Sequence, residues 1–452
     1  MQAYKSNKKK ILHITAHLGG GVGRVVLSYL IRNKQDPLFE HEVACLDYAN
    51  DYAVDVSKNF GLLILEKMSE RKKLLLEKTA DSDIVLIHWW NHPLLFDFLV
   101  REELPPSRVI MWSHISGFHS PNVFTDKVLR YPDIFVFTTP LSYKTKEVQN
   151  LSKNIKKKLR VVWSTGGVEN FSSIKLENHN GFNIGYIGTV DYSKMHPDFL
   201  NMCKGIEIPD AKFIVVGGPK EKELEQEAKN MGILEKFTFT GHVPDLTKYY
   251  SILDVFGYPL APYHYGTCDQ VLQMSMAVGI VPVVFSNPME SYMVKDGITG
   301  IIAKNKVEYI EGIKKLYRDQ NLRTTLSKNA KQYAKQAFTL EKMSNAWKSV
   351  FLDVLKFPKT NKKWTNSKLV SDLTPMDVFL EALGKHGVDF ISYYNAKDGE
   401  DRRKATKKIK NLSKSPAWQA KTKGTVQHYC TFFPNDNNLS VLSKIFNESE
   451  EN

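Results

Sequence analysis

The chain contains no run of about 18 apolar residues, the least that crosses a bilayer as a helix, so no membrane-spanning segment is expected. Cysteine is scarce. Cys45, Cys203, Cys268 and Cys430 are scattered without CxxC spacing, which argues against a disulfide framework or a structural zinc and for free thiols in a reducing cytoplasm. Zinc-finger, RNP-type aromatic and helix-turn-helix patterns are missing, so nucleic acid is not an expected partner despite the charge. At the start, the basic flank Met1–Lys10 precedes a short apolar stretch interrupted by His13 and His17. That pattern reads as a first core strand, not a signal peptide.

Basic residues outnumber acids, 62 to 49, for a net charge of +13. They cluster at Lys8–Lys10, Arg71–Lys73 and Lys156–Lys158. Between 401 and 423, nine lysines and arginines face one acid, Asp401. Such patches either attract a polyanion, for example an anionic membrane surface or a phosphorylated acceptor, or are plain solvated surface. The expected location is cytoplasmic, peripheral at the inner face of the membrane.

With 452 residues and 42% hydrophobic content, the chain can bury two or three cores. Short apolar segments of four to six residues alternate with amphipathic ones along most of it. This is the pattern of parallel βαβ units covered on both faces. Two such units open with glycine: Ile11–His17 runs into Leu18-Gly19-Gly20-Gly21-Val22-Gly23-Arg24, and Phe182–Gly188 runs into Thr189–Lys194. Without side chains, the loop at Gly20 and Gly21 lets main-chain amides approach phosphate. A dinucleotide fingerprint is absent, because the third glycine of GxGxxG would fall on Val26. Residues 1–175 and 176–357 therefore read as two nucleotide-type domains. The stretch 356–367 reads as a Lys/Asn linker and 368–452 as a separate C-terminal appendix. Thr374–Gly384 in the appendix has the form of a capped helix ending at glycine. Thr267 and Gln270 have the spacing of a capping box for a helix Cys268–Val278.

Histidines mark strand ends. His88 and His92 in Ile87–Pro93, and His114 after Met111–Ser113, fall at carboxyl ends of parallel strands, the edge that faces ligand in open sheets. Trp89 is a candidate to stack on an acceptor sugar, or else packs in the core.

The glycine loop, Gly188–Lys194, the strands Phe213–Gly218, Phe239–Asp245 and Asp254–Pro259, and the segments Tyr265–Gln270, Met276–Gly279, Pro282–Val284 and Asp296–Gly300 together resemble the retaining, metal-independent glycosyltransferases of family 4. The resemblance covers roughly residues 10–355. It implies a GT-B fold, two Rossmann-like doubly wound domains facing a cleft. It also implies transfer of a hexose-type sugar from a nucleoside diphosphate to a glycan or lipid-linked acceptor, as in polysaccharide biosynthesis, with no cofactor and no metal. Lys194 stands where the family places its phosphate-gripping lysine, and His114 where it carries a histidine near the reacting sugar. These two are the expected catalytic residues. Gly20, Gly21, Thr189, Gly266, Thr267, Asp269, Gln270, Gln273 and Glu290 are expected at the donor, and His88 and Trp89 at the acceptor. The family's pair of glutamates is missing: Gly266 and Met274 occupy those positions, or Tyr265 and Gln273 one register earlier. Thr189 replaces an arginine. The departures leave open an altered donor, a weak enzyme, or an inactive homologue that binds glycan or partners another transferase.

Overall fold

The computed structural model describes residues 8–447, so the basic flank at 1–7 lies outside the described residues. The chain forms two compact units, one of residues 1–166 together with 343–452 and one of 167–342. Both are built on parallel sheets covered by helices.

The first unit holds a seven-stranded sheet. Its order is Leu159–Val161, Ile134–Phe137, Val109–Ser113, Ile84–Trp89, Lys9–Thr15, Phe39–Cys45, Leu63–Leu65, parallel throughout. The first strand lies between the second and the fourth, so the order reverses there. Two loops leave that point from the carboxyl edge: Ala16–Gly19, ahead of helix Gly20–Asn33, and Trp90–His92, ahead of helix Pro93–Arg101. Such a switch point leaves a crevice outside the strand ends.

Side chains alternate across the strands, and the two faces of this sheet differ. Leu12, Ile14, Val85, Ile87, Trp89, Met111, Phe135 and Phe137 form an apolar face. The other face carries histidines, described below. It lies against Tyr29 of helix Gly20–Asn33 and against Trp347 and Phe351 of helix Leu340–Val354.

The segment expected as a separate appendix completes the apolar face. Met376, Val378, Phe379, Leu383, Phe390, Trp418 and Tyr429 are buried in the same cluster as the strands. The Lys/Asn linker is no free linker either. Thr360–Lys362 pairs antiparallel with Leu104–Ser107, Lys362 forms an ion pair of 2.7 Å with Asp133, and Trp364 packs on Phe96 with ring centroids 5.5 Å apart. Compact units therefore divide at 166/167 and 342/343, not at 175/176 and 357. The reason is that helix Leu340–Val354 buries Trp347 and Phe351 against the first sheet. The helix of Thr374–Gly384 forms as expected, over Pro375–Leu383, with a capping box between Thr374 and Asp377.

The second unit holds a six-stranded parallel sheet, in the order Phe237–Phe239, Ala211–Val216, Phe182–Ile187, Val255–Tyr258, Val281–Phe285, Ile301–Ala303. Its switch point lies between Phe182–Ile187 and Val255–Tyr258. The loops 188–198 and 259–269 leave the carboxyl edge there. Glycines let the strand ends crowd together: at Gly217, with φ +129, an added Cβ would lie 1.9 Å from the Gly188 carbonyl oxygen. No helix among the described residues is long and apolar enough to cross a membrane.

Candidate functional site

In the second unit the switch-point loops bring together a charged cluster. Lys194 is shaped by its own loop: its amide donates to the Asp191 carbonyl at 2.9 Å, and its carbonyl accepts from Ala261 at 2.8 Å. The residue is 8% exposed. Its Nζ lies 2.5 Å from Asp269 Oδ1 and 5.7 Å from the centroid of the Tyr258 ring. Burial works to lower the lysine pKa, but Asp269, with help from Glu290, outweighs burial and raises it.

Glu290 is 0% exposed and enters from helix Pro288–Met293. His264 Nε2 lies 3.2 Å from its Oε2, and His264 Nδ1 accepts from the Gly266 amide at 3.0 Å. That acceptor role puts the proton of the neutral ring on Nε2, where it donates to Glu290. Burial lowers the His264 pKa, and Glu290 and Asp269 reverse this and raise it. His264, Asp269 and Glu290 place ligand atoms within 4.8 Å of one another, a spacing that would suit a metal ion. Here the Lys194 ammonium sits on Asp269, and both His264 nitrogens are engaged. Asp269 Oδ2, Glu290 Oε1 and the Tyr258 hydroxyl are buried without a hydrogen-bond partner. Buried polar atoms are normally paired, so these three mark where a hydroxyl-bearing or charged ligand would bind.

Of the expected donor residues, Thr189 lies at the end of the strand Phe182–Ile187, where its carbonyl accepts from the Tyr186 hydroxyl at 2.7 Å. An added Cβ at Gly266 would lie 2.9 Å from His264 Nδ1 and 3.1 Å from Asp269 Oδ2. Gln273 is buried, with its Nε2 3.5 Å from the Cys268 carbonyl. The capping box at Thr267 does not form. The helix spans Gln270–Val278 with Asp269 at the N-cap. The Asp269 side chain makes no cap bond, because it faces Lys194. Sequence reasoning missed His264 and Tyr258. The signal for His264 was its place in the loop 259–269, which follows the strand Val255–Tyr258 at the carboxyl edge.

In the first unit Gly19 is the uncapped N-cap of helix Gly20–Asn33, and Gly20, with φ +58, is exposed with open space around it. Gly21 follows as the second residue of the helix. His17 stacks on Tyr48 at 5.1 Å, and His92 meets His428 at 4.8 Å. His428 comes from the C-terminal segment, whose Gly424 packs against Asn91. His114 is partly buried at the same edge, and its pKa falls to about 3 through burial and the nearby Lys423. Two acceptor expectations need correction. Trp89 is 0% exposed, with its ring 5.7 Å from that of Phe124. It points into the apolar face and cannot stack on a sugar. His88 is 1% exposed and is enclosed between His13 and His114, so no ligand reaches it directly.

Residues 168–333 match the family described as glycosyl transferases group 1. No curated protein matches the chain. Among solved structures, HepE of Anabaena in complex with UDP-glucose is 15% identical with TM-score 0.62, covering 76% of this chain and 99% of that one. A glycosyltransferase from Rickettsia africae ESF-5 is 16% identical with TM-score 0.61, covering 77% and 99%. Sucrose-phosphate synthase from Thermosynechococcus elongatus is 14% identical with TM-score 0.60, again covering 77% and 99%. The chain has the GT-B fold, two Rossmann-like parallel-sheet domains, and its residues 168–333 carry the likeness to glycosyl transferases group 1.

Proposed function

We propose that this protein is a glycosyltransferase that moves a hexose-type sugar from a nucleoside diphosphate to a glycan or lipid-linked acceptor, with retained configuration and without a metal. The observation that carries the reading is the buried Lys194 ammonium beside the unpartnered oxygens of Asp269 and Glu290 at the switch point of the second sheet. An ammonium held in a low-dielectric site stabilises a departing diphosphate far better than one in water. Unpaired carboxylate oxygens are acceptors suited to sugar hydroxyls. The amino end of helix Gln270–Val278 offers main-chain amides to phosphate. UDP-glucose bound to a protein of the same fold supports a nucleotide-sugar donor.

On this reading the carboxyl edge of the first sheet, with the glycine loop and His114, receives the acceptor. The basic helix Gly399–Ser413 rests on an anionic membrane surface. The test is a panel of radiolabelled UDP-, GDP-, ADP- and CDP-sugars, with and without EDTA. Hydrolysis or transfer that survives chelation and is lost in Lys194→Met is expected. Turnover abolished by EDTA would overturn the metal-free part. A second reading, donor binding without turnover, is favoured by Gly266 standing where the family has a glutamate. Saturable nucleotide binding with no hydrolysis of any donor would establish it.

A further inference from the structure

Four histidines cross the first sheet in a continuous hydrogen-bonded row. His41 Nδ1 lies 2.9 Å from His13 Nε2, His13 Nδ1 lies 2.9 Å from His88 Nε2, and His88 Nδ1 lies 3.1 Å from His114 Nε2. The strand register produces the row. His41 pairs with Ile11, two residues before His13. His13 pairs with Leu86, two before His88. His88 pairs with Trp112, two before His114. Each step therefore crosses one strand and advances two residues on the same face, and the row climbs diagonally to the carboxyl edge. Successive rings from His13 to His114 are near parallel, with interplanar angles of 16° and 11°.

We infer that this row is a proton relay, which takes a proton from a hydroxyl bound at the carboxyl edge and releases one at His41, with every imidazole neutral before and after. The inference rests on the glycosyl-transfer reading for the source of the proton. A neutral imidazole donates through one nitrogen and accepts through the other, so the row has two self-consistent arrangements. In the first, all four protons sit on Nε2. His114 then donates to His88, His88 to His13 and His13 to His41, leaving His114 Nδ1 as the acceptor end. The hydroxyl oxygen bonds to the transferred sugar carbon as that carbon's bond to the diphosphate oxygen breaks, and the hydroxyl proton binds His114 Nδ1. The Nε2 protons of His114, His88 and His13 each move to the Nδ1 of the next ring, and the Nε2 proton of His41 leaves to water. All four rings then carry the proton on Nδ1. A proton taken up from water at His41 and passed from His114 Nδ1 to water at the carboxyl edge restores the first arrangement.

The environment explains why a row serves where one histidine would not. Burial and Lys423 oppose an imidazolium at His114, and burial with the neighbouring rings opposes one at His13 and His88. Near neutral pH a lone His114 would be a poor base. By giving up Nε2–H as it gains Nδ1–H, it stays uncharged. His41 is partly exposed, and its Nε2, the far end, has no hydrogen-bond partner within the protein, so a water that reaches it is the acceptor the relay requires. Around His41 lie Tyr29, Phe351, Asp36 and Lys8, of which Asp36 favours and Lys8 opposes a passing positive charge.

Nuclear magnetic resonance of the full-length protein labelled with 15N-histidine tests the relay without any assumption about substrate. The expected result between pH 6.5 and 8 is through-hydrogen-bond nitrogen–nitrogen coupling across all three links. All four rings should share one tautomer and exchange together with the other. An imidazolium signal within the row, an absent coupling at any link, or one tautomer with no exchange would overturn it. If a nucleotide sugar is turned over, folded His13→Leu, which cuts the row without touching His114, is expected to lose at least tenfold in kcat with donor KM unchanged. It should also lose the curvature of the rate in mixed H2O and D2O. Unchanged kcat in that variant would refute the relay even though the transferase reading stood. Absence of turnover with every donor would remove the transferase reading, and the resonance result would still decide whether the row conducts protons.

Discussion

Lowering the pH should unfold the first unit while the second survives. Burial holds His17 and His41 down at about 4, and His114 and His428 at about 3. An unfolded histidine titrates near 6.5. Between those values the native state binds fewer protons than the unfolded chain. The stability these groups contribute is therefore complete above pH 6.5 and is lost as pH falls toward their folded pKa values. One pKa unit is about 1.4 kcal/mol. At pH 5 each of these four histidines has cost roughly 2 kcal/mol, or roughly 8 together, against a typical domain stability of about 5–15 kcal/mol. His13, His88 and His92 are shifted the same way and add to the loss. In the second unit the shifts oppose one another: His264 is raised and contributes stability that is present below pH 6.5, while His196 is lowered. The assay is built into the sequence, because all seven tryptophans (89, 90, 112, 163, 347, 364 and 418) lie in the first unit. Tryptophan emission should shift to the red with a midpoint between about pH 4 and 6, while far-ultraviolet ellipticity keeps the share due to the second unit. Native emission persisting to pH 4 would refute the argument.

Removing one member of the Lys194–Asp269 pair strands a buried charge, so Lys194→Met should cost about 3–5 kcal/mol in chemical denaturation. Lys194→Met with Asp269→Leu should recover most of that stability but not nucleotide-sugar binding, and a single variant costing under about 1 kcal/mol would count against the burial. Gly217→Ala meets the Gly188 carbonyl at positive φ and should destabilise by ~2–4 kcal/mol. Gly20→Ala, with open space around it, should cost only ~1–2 kcal/mol for the left-handed backbone; equal melting temperatures for the two variants would contradict the crowding. Asp269→Asn frees the ammonium for phosphate and should tighten binding of the nucleoside diphosphate about tenfold by calorimetry, with the nucleoside alone unaffected. Weaker diphosphate binding would exclude Lys194 as the phosphate grip.

The alternation of short apolar strands and amphipathic helices made both sheets legible, because a parallel strand buried on both faces writes itself as a local apolar run. Features that depend on pairing between distant segments were not legible. Pro105 and Pro106 argue against a strand, yet Leu104–Ser107 pairs with Thr360–Lys362 in a two-stranded sheet of their own. The apolar side of Pro375–Leu383 was visible as amphipathic, but nothing local says that its partner is helix Pro93–Arg101 and the sheet beneath. The histidine row needs the register of four strands before its members become neighbours. Trp89 and His88 are adjacent in sequence, and strand alternation sends them to opposite faces. At Thr267 the capping pattern was present, yet the helix starts at Gln270 with Asp269 at its N-cap and the Asp269 side chain on Lys194.

The same competition bears on the missing glutamates. A side chain at position 266 would strike His264 and Asp269, so the family's acid has no room in this cluster. Two carboxylates nevertheless arrive by other routes, Asp269 from the N-cap of one helix and Glu290 from the first turn of the next. Lys194 is held by Asp269, so on the proposed reading an incoming diphosphate takes the ammonium in exchange for that carboxylate. That exchange would leave Asp269, with both oxygens then unpaired, to accept hydroxyls of the sugar. Diphosphate capture and sugar recognition would thereby become one coupled step, and the lysine need never be buried without a counter-charge.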